Sequence, residues 1–353
     1  MSLNCVGLDI GSSAIKILQV KKTGKGIRLL DFGIEPLPAQ TIVDGSIMDQ
    51  SSVVEAIKKL KTTLGIRNKR VATAISGHSV IIKKIQLPQM SPDELSQQLP
   101  FEAEQHIPFR KDEVEIDHQV LNATKEAGGL LDLLLVAAKK EVISDYAQVI
   151  RDAKLVPTVM DVVAFTVQNA FEANYDVAPG ESVCLINVGA AISNVNVVCD
   201  GISVFTRDVT VGGGVFTEEI QKRANVGFDE AEGLKIAFAE SGAATEGMPP
   251  VVETVVNEVA DNVAGKLQRT IDFFLAATPD ASLSRIFLSG GTARVPALLR
   301  ALKEKARVDV EILDPFRRLI VDESKFDMEF IRAHAAEATV GLGLALRRPG
   351  DHG

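Results

Sequence analysis

The residues best suited to chemistry lie where strand-like runs meet glycine. In Val6-Gly-Leu-Asp-Ile-Gly-Ser-Ser-Ala-Ile-Lys16 an apolar strand carries Asp9 near its end, turns at Gly11, Ser12 and Ser13, and leaves as a second strand bearing Lys16. Such a turn presents backbone N–H groups to an anion with no side chain in the way. Ser12, Ser13 and Lys16 add donors for phosphate oxygens. Asp9 is placed to hold hydrated Mg²⁺, a cation that keeps several waters and takes one or two carboxylates. The stretch Cys184-Leu-Ile-Asn-Val-Gly-Ala-Ala-Ile-Ser193 echoes this one: with Gly11 set on Gly189, Asp9 meets Asn187 and Ile10 meets Val188. Two more glycine-rich turns, Gly212-Gly-Gly214 and Gly290-Gly-Thr292, each precede a helical pattern, whose N-terminus favours negative charge. Two similar hairpins half a chain apart predict two related lobes facing a common cleft.

The elements that must position these turns follow from hydrophobic periodicity. Strands are expected at Cys5–Ile10, Ala14–Lys21 and Ile27–Ile34, then a helix near Gln50–Leu64 and a strand at Arg70–Ile75. From Val80 the pattern changes to strand, helix, strand, strand, helix. In this run Ser91, Pro92 and Glu94 form a capping box with proline at the first helical position, and Pro100 should bend or interrupt that helix. Residues 80–154 thus read as an α+β subdomain inserted between parts 1–79 and 155–178 of the first lobe. The second lobe takes 179–330, with a long helix at Val251–Ala277. A closing helix, Ala333–Arg347, heads the tail 331–353, which is expected to pack on the first lobe.

Composition narrows the function classes. The 353 residues carry a net charge of −9, which argues against a general nucleic-acid binder. No apolar run is long enough to span a bilayer and no signal peptide opens the chain, so a cytoplasmic protein is expected. Cys5, Cys184 and Cys199 are too scattered for a disulfide framework or a metal knot, and the 5 histidines show no ligand spacing.

Together the turns resemble those of the actin-like ATPase fold: an α/β, two-lobed, duplicated ribonuclease-H-like architecture. By that resemblance Leu8–Lys16 is similar to the first phosphate loop. The stretch Ile186–Ser193, with Gly189 and Ser193, is similar to the second, and Leu288–Ala293, with Gly290, Gly291 and Thr292, to the adenosine motif. The same resemblance implies that Gly212 and Gly213 approach the nucleotide and that Glu232 and Lys235 reach ribose and adenine; on residue type alone that pair also reads as a solvated helix face. It assigns Asp161 the place of a water-polarising acid, against the plainer reading of a cap on the following helix. The second loop of that superfamily normally carries Asp where this chain has Asn187, so metal and water activation should weaken.

Pro88–Leu95, Phe101–Phe109, Asp117–Val120 and Val340–Arg347 are similar to the PilM family of type IV pilus assembly proteins, itself similar to the cell-division protein FtsA. That resemblance implies ATP and Mg²⁺ as cofactors and at most weak ATPase activity. Its implied partners are the cytoplasmic N-terminal peptide of PilN, other pilus platform proteins and the motor ATPase. A groove beside the insertion would take the peptide, with Phe101, Ile107, Pro108 and Phe109 as candidate lining. Membrane association would then run through a partner. An actin-like-fold ATPase or phosphotransferase and an FtsA-like cell-division filament protein are the alternatives.

Overall fold

A computed structural model describes residues 4–123, 129–278 and 281–351. In chain order the first lobe holds β1 (Val6–Ile10), β2 (Ala14–Thr23), β3 (Gly26–Pro36), a small hairpin of β4 (Ile42–Val43) and β5 (Ser46–Ile47), helix α1 (Gln50–Thr63) and β6 (Arg70–Ile75). The insertion follows with β7 (Val80–Pro88), α2 (Pro92–His106), β8 (Val114–Ala123) and β9 (Leu130–Lys139). The turn expected between its last two strands falls largely outside the described residues. Helix α3 (Lys140–Asp152), β10 (Val156–Val162) and α4 (Val163–Asn174) return to the first lobe.

The second lobe comprises β11 (Ser182–Val188), β12 (Ser193–Cys199), β13 (Ile202–Val209), α5 (Gly214–Ala224), α6 (Phe228–Ser241), α7 (Val251–Ala277), β14 (Leu283–Ser289), α8 (Pro296–Lys305) and β15 (Asp309–Ile312). Helices α9 (Met328–Ala333) and α10 (Thr339–Ala345) close the chain.

The sheets run β10-β6-β1-β2-β3 and β13-β12-β11-β14-β15. Each is an antiparallel meander extended by two parallel strands on the far side of its first strand. The registers also agree: Asp9 lies opposite Lys16 and Asn187 opposite Asn194. The expected duplication is therefore present to the residue.

The insertion is smaller than the sequence suggested. Its sheet, β7-β9-β8, packs α2 through Leu95, Leu99 and Ala103. Those three contacts hold α2 helical through Pro100, which costs one backbone hydrogen bond without interrupting the helix. Helix α3, grouped with the insertion by sequence order, instead places Val142, Tyr146, Val149 and Ile150 in the first-lobe core beside Val53, Ile57 and Leu60 of α1.

The expected closing helix is also broken. Asp327 caps α9, accepting the amides of Glu329 and Phe330. The chain then turns at His334 and passes through a 3-10 turn, Ala336–Ala338, before α10 begins. At this break the Ala336 carbonyl accepts the Gly290 amide at 2.9 Å and the Thr339 hydroxyl at 3.0 Å, which ties the turn to the second sheet.

Helices α4 and α10 lie side by side and join the lobes. Val167 and Phe171 of α4 and Val340 and Leu344 of α10 share one cluster with Ala72 and Ala74 of β6 and Val183, Leu185 and Phe287 of the second sheet. Phe171, Tyr175 and Phe287 form an aromatic group with centroids 4.9–5.1 Å apart. Close approach here needs glycine: a Cβ on Gly343 would overlap the backbone of Thr166, and one on Gly7 the carbonyl of Gly341. Gly343→Ala should therefore destabilise the fold by about 1–3 kcal/mol. Gly233→Ala, whose Cβ on α6 would meet nothing within 4 Å, should be neutral or stabilising by up to ~1 kcal/mol. Urea midpoints of the two variants check this; equal shifts would rule out the packing account.

Candidate functional site

The cleft is built from the strand ends outward. In the first lobe Lys16 Nζ lies 3.1 Å from Asp9 Oδ2, both side chains largely buried. Burial opposes the Lys16 charge, but Asp9 and Glu337 outweigh it and hold the ammonium above its ordinary pKa. In the loop between them the Gly11 amide donates to Ala14 O at 3.1 Å. The amides and hydroxyls of Ser12 and Ser13 have no protein partner among the described residues. The second loop repeats the closure, Gly189 N–H to Ile192 O at 3.0 Å, and likewise leaves the amides of Ala190 and Ala191 without a partner. Four unspent N–H groups on two partly exposed glycine loops fit a polyphosphate.

The other second-lobe glycines serve the scaffold. The Gly213 amide donates to Gly189 O at 2.9 Å and that of Gly214 to Ala190 O at 2.8 Å, while Thr292 Oγ1 donates to Gly189 O at 2.8 Å. A Cβ on Gly212 would come within 2.5 Å of Gly189 O, and one on Gly213 within 2.6 Å of Thr292 Oγ1. Gly290, at φ +89°, would drive a Cβ into the Val188 carbonyl. These glycines are needed where three protein segments meet, so their small size is explained before any ligand is invoked. Ser193, expected on the phosphate, is wholly buried and spends its hydroxyl on Val211 O at 2.7 Å. That role is corrected: Ser193 anchors the glycine turn from behind.

Glu232 and Lys235 do not lie on a free solvent face. Lys235 Nζ is 2.6 Å from Glu232 Oε2 and 3.1 Å from Thr217 Oγ1, which donates to the same carboxylate oxygen at 2.5 Å. Lys235 also lies 3.6 Å from where a Gly213 Cβ would be. The structure thus brings Gly213, Thr217, Glu232, Lys235 and Thr292 together, a polar group suited to the hydroxyl-bearing end of a nucleotide.

Asp161 is the clearest departure. It is buried, its Oδ2 is 3.1 Å from Arg347 Nε in an ion contact that misses hydrogen-bond geometry, and its Oδ1 accepts the Val162 amide at 2.7 Å. Burial pushes its carboxyl above the ordinary range despite Arg347. The water-polarising role is unsupported because the group is sealed against the chain's closing segment. The cap reading fails too, since α4 has no side-chain cap.

Asn187 belongs to a row of side chains crossing the second sheet. Its Nδ2 donates to Asn194 Oδ1 at 3.1 Å, Asn194 Nδ2 donates to Asp208 Oδ1 at 2.7 Å, and Asp208 Oδ2 accepts the amide of Gly77 from the first lobe at 2.5 Å. His78 and Thr210 meet beside it at 3.3 Å. The row therefore ends in a contact between lobes.

Sequence reasoning missed Glu337. Its Oε1 accepts from Arg294 Nη1 at 2.8 Å and lies 3.0 Å from His334 Nδ1, while Gly291 packs against its stem. The one signal was a lone carboxylate among small apolar residues in Ala335-Ala-Glu-Ala-Thr339. Burial alone would raise its pKa, but the His334 hydrogen bond, the Lys16 charge and the Arg294 hydrogen bond lower it from 4.5 to about 2. A carboxylate depressed by folding stabilises the fold above its unfolded pKa and loses that contribution as pH falls through the folded one. Glu337→Gln should therefore cost up to about 3 kcal/mol at neutral pH. The gap to the parent should close between pH 4.5 and about 2. Denaturant midpoints across that range measure it, and a pH-independent gap would refute the assignment.

No cluster of three metal-ligating side chains occurs among the described residues. A cation here would rest on Asp9, the ligand's own oxygens and water, an arrangement that suits Mg²⁺.

Comparison with known proteins places this geometry. The chain is 28% identical over 105 residues to cell division protein FtsA of Neisseria meningitidis serogroup B, a match spanning 30% of this chain and about a quarter, 24%, of that relative's length. MreB5 of Spiroplasma citri, solved with AMPPNP, shares the fold at 11% identity, with a TM-score of 0.51 over 97% of this chain and 95% of its own. A PilM–PilN type IV pilus biogenesis complex superposes with a TM-score of 0.86 and 26% identity, covering 98% of each chain. The description of type IV pilus assembly protein PilM matches residues 7–349. The actin-like two-lobed fold, its insertion and that nearly end-to-end match lead to one assignment: the chain belongs to the type IV pilus assembly protein PilM family.

Proposed function

We propose that this chain is a nucleotide-gated scaffold of the pilus inner-membrane platform. It holds Mg-ATP between its lobes and takes the cytoplasmic N-terminal peptide of a PilN-type membrane protein against its inserted unit. The observation that carries the nucleotide half is the pair of glycine loops in matching register, with unspent amides at Ser12, Ser13, Ala190 and Ala191. The nucleotide bound to the MreB5 relative supports the same reading.

When bound, ATP supplies a polyphosphate that both loops can engage, and Mg²⁺ offsets its charge. Asp9 serves the metal side and Lys16, already charged and pre-positioned, the phosphate side. Thr217, Glu232, Lys235 and Thr292 orient the nucleoside end. Neither Asn187, which lacks a charge, nor Asp161, which faces Arg347, offers a carboxylate to activate water. Turnover is therefore slow, and binding acts by shifting the lobes toward a closed population. A phosphotransferase would need a carboxylate base beside its acceptor, and the same two residues weigh against one.

The PilM–PilN complex, of the same shape, supports the peptide half. Of the residues considered for its groove, Ile107 is buried in the insertion and Phe109 lies half-buried under Lys139. Phe101 is 61% exposed, with Lys111 Nζ 4.3 Å from its ring centroid, and is the best available anchor. No helix among the described residues is long and apolar enough to cross a membrane; in this reading the chain meets the membrane through that partner, and other platform proteins and the motor ATPase are its further partners.

Titration of a PilN N-terminal peptide with and without Mg-ATP tests the reading. Binding should tighten with nucleotide and weaken in Phe101→Ala by about 1–2 kcal/mol. No binding in either state would overturn the scaffold, and equal binding in both would remove the gate. A second expectation concerns turnover: Asn187→Asp should raise basal phosphate release from Mg-ATP, and an unchanged rate in a nucleotide-binding preparation would contradict this account of slow hydrolysis.

A further inference from the structure

The outer edge of the second sheet carries a feature that the nucleotide and PilN readings leave unused. Between β13 and α7 lies a shallow, water-open cavity of about 370 Å³, lined by Arg207, Lys266, Arg269, Thr210, Thr270 and Asp208 together with Val209. Three cations face one carboxylate there, in a chain whose net charge is −9. None of the three has a carboxylate partner among the described residues. By contrast Arg223, Arg285, Arg294 and Arg318 are all paired with acids. The single acid, Asp208, is already engaged by Asn194 and Gly77.

Two further observations give the site a shape. Strand β13 is an edge strand that pairs only with β12 among the described strands, so its outward N–H and C=O groups are open to pairing. An apolar anchor sits beside the cations: Phe273 is 56% exposed, with Phe205 6.2 Å away and the Arg207 guanidinium 5.4 Å from its ring centroid. An open strand edge, a flanking row of unpaired cations and an exposed ring suit an extended segment alternating acidic and apolar residues, which alternates faces with the same period as β13. A phosphate alone would leave the edge and the ring unused. A flat anionic bilayer would meet a concave edge on a chain of the same sign of charge.

We propose that this edge is a docking site for an extended acidic peptide segment of a partner protein, its backbone paired along β13 and its carboxylates on Arg207, Lys266 and Arg269. The site lies on the second lobe, and its Asp208 and Thr210 end meets the first lobe at Gly77 and His78.

The test is fluorescence anisotropy on the full chain. The probe is a labelled peptide of alternating Glu and Val, matching the 8 residues of β13. Saturable binding is expected, weakened by about tenfold or more in the double variant Arg207→Glu/Arg269→Glu and weakened less in Arg269→Gln. Lys222→Glu, a change on α5 at a lysine paired with Glu219, should leave binding intact. Unchanged thermal melting of the variants separates lost contacts from lost fold. Methylating alternate peptide amides on the pairing face should also reduce affinity. The proposal is overturned if neither parent nor variant binds the probe or if the double variant binds as the parent does. It also fails if an alternating Lys and Val peptide binds equally well, or if inorganic phosphate or phosphatidylglycerol vesicles bind with the same variant sensitivity while the peptide does not.

Discussion

The arrangement of the cleft depends on backbone meeting backbone where Gly7 faces the Gly341 carbonyl and Gly343 faces Thr166. There α10 sits so close to β1 and α4 that no side chain fits between. Such contacts exclude sliding, because protein interiors are close-packed and a displaced helix would lose many dispersion contacts at once. The seat of α10 then sets both of its flanks. Before it, Glu337 is carried between Lys16 of the first lobe and Arg294 of the second. After it, Arg347 closes over Asp161. One packing constraint thus decides which carboxylate enters the cleft and which is shut away from it.

The two lobes repeat a backbone and diverge in charge. At equivalent positions the first pairs Asp9 with Lys16 and the second pairs Asn187 with Asn194. A largely buried ion pair can exchange partners only when a highly charged ligand and its counter-cation replace the charges each member gives up. An amide pair has no charge to redirect. Its donors and acceptors are committed to a row that runs on to Asp208 and Gly77, and breaking one link leaves a polar group unpaired. In the proposed function the first lobe is therefore the half with charge to redirect toward a ligand, while the second keeps its amide row.

Much of this was legible beforehand. The echo of Gly11 in Gly189 predicted the duplicated sheets, and the apolar period of residues 251–277 marked α7 to its ends, because both signals are local. The capping box at Ser91 and Glu94 was equally readable. The roles that failed depend on partners distant in sequence. Ser193 has the residue type of a phosphate donor, but alternation alone could not say that its hydroxyl turns inward to Val211. Asp161 sits where a strand meets a helix, yet its counter-ion comes from the other end of the chain. Helix α3 follows the insertion without a break in pattern, so only its packing on α1 reveals its lobe. Glu337 lacked a motif because what recruits it is the field of Lys16, Arg294 and His334.

The placement of α10 has a consequence for biosynthesis. Strand β1 is made long before the helix that covers Gly7. Until then one face of the first sheet, with Leu18, Ala72 and Ala74, has no cover from Leu342, Val340 and Leu344. Contacts of such long sequence separation form late and slowly, and an apolar sheet face left waiting is prone to wrong partners. The first lobe therefore cannot mature as an independent unit ahead of the second. The nascent chain should behave as a single folding unit whose first sheet keeps one apolar face uncovered until α10 has been made.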